Sequence, residues 1–224
     1  MKTLFFKYKH GWLMFYLFFY LIWFFALENR GWVPTKLIQS SLDSLIPFNE
    51  YFMIPYLLWF VYIPFVVLFF FFTSREDYYK TCAFLFIGMT ICLIIYTVYP
   101  TRQNLRPMVF TGQNIWITMI KKLYAFDTAT NVCPSIHVFN SIGAHLAIAN
   151  SARFKNNKLV RGFSFLLAAS ICMSTVFLKQ HSVVDGLCAI ILACVMYVLV
   201  YYIDYSAVKA WYREKKEKVA YERK

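Results

Sequence analysis

Two short stretches of the chain pair residue types that can move a phosphoryl group. In His181-Ser182-Val183-Val184-Asp185 a His and an Asp stand four apart, so one helical face carries both. A carboxylate so placed fixes the imidazole tautomer and leaves the far ring nitrogen free to attack. Asp185 also lies in an apolar run, where a carboxylate is costly and usually functional. In Cys133-Pro134-Ser135-Ile136-His137, Pro suits a helix start and His137 follows in the first turn. The unpaired N–H groups and dipole of a helix start favour an anion, phosphate above all. A second imidazole across a phosphate from the first could protonate a departing alkoxide. Ser135 and the adjacent N–H groups would hold non-bridging oxygens as charge develops. The plainer readings are a His and a dipole-serving Asp at one helix start, and a capping Ser with a buried, hydrogen-bonded His at the other.

A phosphate also needs cations. Arg102 and Arg106 offer planar, permanently charged donors, although an arginine after an apolar run can simply anchor at the interface. Lys179, two residues before His181, is a weaker candidate. Lys121 and Lys122 suit lipid headgroups, His145 a structural hydrogen bond, and His10 the surface. Cys133 is a lesser candidate than the histidines.

These residues must be positioned by a chain that is 60% hydrophobic and carries 24 Phe and 17 Tyr, more apolar than soluble domains. Six runs are expected to cross a bilayer: 11–27, 51–72, 81–98, 134–150, 162–178 and 183–203. The fold class is therefore all-α, a six-transmembrane-helix bundle forming one integral membrane domain over 1–224. Between the runs lie a connection over 28–50 with Gly31-Trp32 at the interface, a charged turn over 73–80, a polar segment over 99–133 and a basic turn over 151–161. The fourth run, with Asn140, Ser141 and His145, is polar enough to need protein around it. The basic start over 1–10 and the first run can imitate a signal peptide. No small-residue cleavage site follows, so that run is expected to stay as a span.

The net charge of +12 suits a membrane surface better than nucleic acid, because the basic residues lie between and after apolar runs. Most of them fall on the side of the termini, which predicts cytoplasmic termini and a basic cytoplasmic tail over 204–224. Arg102, Arg106, Cys133–His137 and Lys179–Asp185 then share the outer face. The six cysteines form no Cys-x-x-Cys, and five read as small buried hydrophobes.

Arg106-Pro107, Pro134-Ser135-Ile136-His137 and Ser174-Thr175-x5-His181-x3-Asp185 occur in the order and spacing of three family motifs. The set resembles the type-2 phosphatidic acid phosphatase superfamily, which includes lipid phosphotransferases. The resemblance covers the core motifs over 99–185. It implies His181 as the nucleophile that forms a phosphohistidine, Asp185 as its orienting carboxylate, and His137 as the acid for the leaving group. Arg106 and Ser135 would bind phosphate, with Arg102 and Lys179 reaching in, and no metal or other cofactor is implied. Tyr99 stands where the family has Lys, and Thr175 where it has Arg. In lacking that Arg the pattern is more similar to the branch of inositol phosphorylceramide synthase.

The expected function is a lipid phosphatase of the plasma membrane, with a phosphorylated lipid as substrate. One alternative passes the phospho-headgroup to an alcohol. Another, of a different class, is a non-catalytic phospholipid transporter or binding protein. A third uses His137, His145 or His181 as axial haem ligands.

Overall fold

The computed structural model describes residues 8–31, 33–110, 112–206 and 211. The expectations for residues 1–7, for Trp32 and for nearly all of the tail lie outside them. Among the described residues, and apart from a single helical turn at Leu42–Leu45, seven helices build the bundle: α1 (Phe15–Glu28, entered through a 3-10 turn over Lys9–Met14), α2 (Met53–Thr73), α3 (Arg75–Val98), α4 (Ile115–Phe126), α5 (Ile136–Asn150), α6 (Lys158–Phe177) and α7 (Val183–Tyr197, continued by a π-turn over Val198–Tyr202). The only sheet among the described residues is one parallel pair, β1 (Lys36–Leu37) on β2 (Thr101–Arg102).

Among the described residues five helical segments are long and apolar enough to cross a membrane, at Lys9–Glu28, Glu50–Thr73, Arg75–Val98, Lys158–Phe177 and Val183–Tyr202. The expected fourth span, α5, has only 15 residues, about 22 Å of helix. It is the innermost element, packed against α2, α3, α6 and α7. That position explains its polar content: Asn140 and Ser141 are buried in protein, and the His145 ring meets the Ser164 hydroxyl of α6 at 3.1 Å.

Local chemistry moves several boundaries. The charged turn expected over 73–80 shrinks to Ser74, whose side chain caps α3 by accepting from the Asp77 N–H. Glu76 and Asp77 then occupy the first turn, where the dipole favours acids. Asn157 likewise caps α6 through the Val160 N–H, so that helix starts inside the expected basic turn. The expected polar segment over 99–133 contains α4, whose buried Ile117 and Ile120 face inward. His10 is not on the surface: it is 2% exposed and its Nε2 lies 3.1 Å from the Phe71 carbonyl. Of the cysteines expected to be buried, Cys194 is exposed and Cys172 and Cys188 are half-buried.

Candidate active site

Both motif stretches start helices at the same end of the bundle. Ser182 caps α7, and Asp185 completes a capping box by accepting the Ser182 N–H at 2.9 Å. The same carboxylate oxygen lies 3.4 Å from His181 Nδ1. Asp185 is fully buried, so its second role as orienter of the imidazole follows from where the helix begins. Ser135 caps α5 by accepting from the Val138 N–H, while its own N–H donates to the Asp185 carbonyl. That bond ties the two helix starts together and brings the His137 and His181 rings to 5.8 Å between centroids.

The two rings line one cavity of about 240 Å³. His137 lies against α2, 4.5 Å from Trp59 and 4.9 Å from Tyr56 between ring centroids. Its ring nitrogens make no protein hydrogen bond among the described residues, while its carbonyl accepts from the Ser141 hydroxyl at 2.7 Å. His181 is oriented from behind by Asp185, which leaves Nε2 as its free nitrogen. Two imidazoles on a shared cavity, one backed by a carboxylate, are suited to nucleophilic attack and proton transfer.

The other expected phosphate ligands take different places. Arg106 donates to the carbonyls of Tyr124, Asp127 and Thr128 and to Gln180 Oε1, and it stacks 4.4 Å from the Tyr124 ring centroid. Those bonds fasten α4 and the segment after it to the turn before α7; only its Nε lacks a partner among the described residues. Arg102 is exposed beside β1, its side chain off the cavity wall. Lys179 has a positive φ of 53° and turns its ammonium to the Asp43 and Ile46 carbonyls, at 2.7 and 2.5 Å. Ser135 is fully buried and acts as a cap. The α7 start is occupied by a protein carboxylate: Asp43 accepts from the Val183 N–H and the Ser182 hydroxyl. Thr175 donates back to the Cys172 carbonyl, and Tyr99 is half exposed, so neither departure places a donor in the cavity.

Residues the motifs did not flag complete the wall. Gln180 bridges Arg106 to Asp127, its Nε2 donating to Asp127 Oδ2 at 3.2 Å. Burial pushes the Asp127 carboxyl up to about 6; Glu28 adds to the rise while His181 and Arg106 pull the other way. Glu28, at the end of α1, accepts from the Thr128 N–H and hydroxyl and from Asn131 Nδ2. Lone polar residues in loops carry no motif; the sequence signal for Glu28 was its position ending an apolar run.

Residues 100–209 match the PAP2 superfamily. The match runs from β2 past the end of α7 and includes Arg106, His137, His181 and Asp185. That superfamily suggests a phosphatase or phosphotransferase acting on lipids, and the helices are compatible with membrane insertion. No curated protein and no solved structure matches the chain.

Proposed function

We propose that the chain is a membrane-embedded lipid phosphatase that works through a phosphohistidine on His181. The observation that carries this is the pair of imidazoles sharing one cavity, with Asp185 behind the nucleophile. His181 Nε2 attacks phosphorus, the bond from phosphorus to the lipid oxygen breaks, and His137 gives that oxygen its proton. Water, losing a proton to His137, then attacks phosphorus and breaks the P–N bond, returning both rings to their starting state. A loose phosphoryl transition state asks mainly for positioned donors and charge.

Leu21, Phe25, Phe60 and Phe126 line the cavity yet stay exposed, so they mark its mouth. A headgroup would reach the histidines between α1 and α2 while the acyl chains stay in the bilayer. The site would open at the outer face of the plasma membrane, with the termini in the cytoplasm.

The decisive experiment is rapid quenching of purified protein with lipid carrying a radiolabelled phosphate. An acid-labile phosphohistidine is expected in the wild type and none in His181→Ala, which should lose turnover by about 10⁴-fold or more, the scale seen when a nucleophile is removed. Full turnover in that variant would refute the mechanism. A second reading, transfer to an alcohol, is favoured by the absence of a cationic side chain at Tyr99 and Thr175. Adding a candidate alcohol and looking for a new labelled lipid separates it from hydrolysis. A non-catalytic binder would yield no phosphohistidine at all.

A further inference from the structure

The charge inside the cavity runs opposite to what a bare phosphate needs. Its wall carries two carboxylates, Glu28 and Asp127, and no Lys or Arg among the described residues. Two guanidiniums that bond to cavity-lining residues, Arg30 and Arg106, are held largely by backbone carbonyls. Arg30 donates to the Tyr96 and Thr97 carbonyls at the end of α3 and to Asn131. Arg106 is held by three carbonyls and Gln180. Neither carboxylate has a Lys or Arg within ion-pair distance among the described residues. Glu28 is not loose: Thr128 and Asn131 hold it in place at 2.5–3.2 Å without neutralising it. The same cavity wall carries the aromatic side chains of Tyr20, Phe24, Trp59 and Phe60. Aromatic faces beside carboxylates recognise ammonium groups, quaternary ones above all.

With the cavity taken as the reaction site proposed above, we infer that its substrate is a phospholipid whose headgroup carries an ammonium group next to the phosphate: the bond from phosphorus to the diacylglycerol oxygen breaks, His137 protonates that oxygen, and water then frees the phosphorylated headgroup from His181. The phosphate meets His137 and His181, and the ammonium sits among Glu28, Asp127 and the rings. The cavity is smaller than the roughly 300–1,000 Å³ of sites that enclose a drug-sized ligand, so it accepts a headgroup and leaves the tails outside. Glu28, Trp59 and the other named rings lie on α1 and α2, outside the segment that matches the superfamily. Most of the proposed ammonium pocket therefore lies in the chain's front half, with Asp127 as its one member inside the matched segment.

The test uses the full chain in nanodiscs with phosphatidylcholine, phosphatidylethanolamine, phosphatidylglycerol and phosphatidic acid of identical acyl composition. The two ammonium lipids should exceed the two anionic ones in kcat/KM by at least about tenfold. Glu28→Gln should cut that ratio several-fold. Should that variant fold poorly, Trp59→Leu reads the same ratio. If phosphatidic acid is turned over as well as phosphatidylcholine, the inference falls while the catalytic reading stands. If no lipid is turned over, the catalytic reading falls, and calorimetry on His181→Ala decides the inference alone. Tighter binding of phosphocholine than of inorganic phosphate supports it; equal or weaker binding overturns it.

Discussion

Asp127 gives the site a pH signature. Its carboxyl is raised from the ordinary 3.8 to about 6, chiefly by burial. Between those two values the folded state binds more protons than the unfolded chain, so stability falls as pH rises through that window. Above about pH 6 the cost is present in full, and below about pH 4 it is gone. Asp127→Asn is thus expected to raise Tm at pH 8 and to leave it unchanged near pH 4, as thermal scans in detergent would show. The His181–Asp185 relation was legible because a spacing of four is enforced by the helix itself. Lys179 misled for an equally local reason: its left-handed backbone turns the side chain toward Asp43 and Ile46. Gln180, Asp127 and Glu28 are brought together only by tertiary folding, and no local pattern announces them.

The α5 helix holds its place because α3 can come close to it. A Cβ on Gly88 would lie 1.9 Å from the Phe139 ring, and one on Gly143 would lie 2.7 Å from Phe84. Those two rings stack at 5.1 Å between centroids. Small residues at such crossings are what let apolar helices pack tightly. Gly88→Leu should therefore cost at least about 1–3 kcal/mol by overpacking and lower activity by shifting the helix that carries His137. Thermal melting and turnover, read together, check it. Asp43→Ala should cost about 1–3 kcal/mol, the penalty of orphaning buried donors, here at the α7 start. Long apolar helices were readable from composition. The α4 helix was not, because its 12 residues mix Lys121 and Lys122 with the apolar face and fall short of a span. The count of six treated α5 as a span, whereas a helix wrapped in protein need not match the bilayer's thickness.

Across the whole molecule the helices alternate in direction. His10 meets Phe71, Ser151 meets Asp77, and Tyr197 meets Asn150 at the end away from the cavity. The basic turn after α5 shares that end, which is the basis for proposing it as cytoplasmic. In a background with the native cysteines replaced, Asn156→Cys should react with an impermeant maleimide only after permeabilisation. Met108→Cys, fully exposed at the cavity end, should react in intact cells. The reverse pattern would invert the proposed orientation.

The α1 helix contributes Tyr20, Leu21, Phe24, Phe25 and Glu28 to the cavity, yet it leans on the bundle chiefly along α3, through Tyr16 to Thr90 and Trp23 to Thr97. The proposed catalytic pair is anchored in the middle of the molecule, whereas part of the proposed headgroup pocket rides on a peripheral strut. Changes confined to that strut would alter the pocket's mouth and Glu28 while leaving the paired rings and their backing acid untouched.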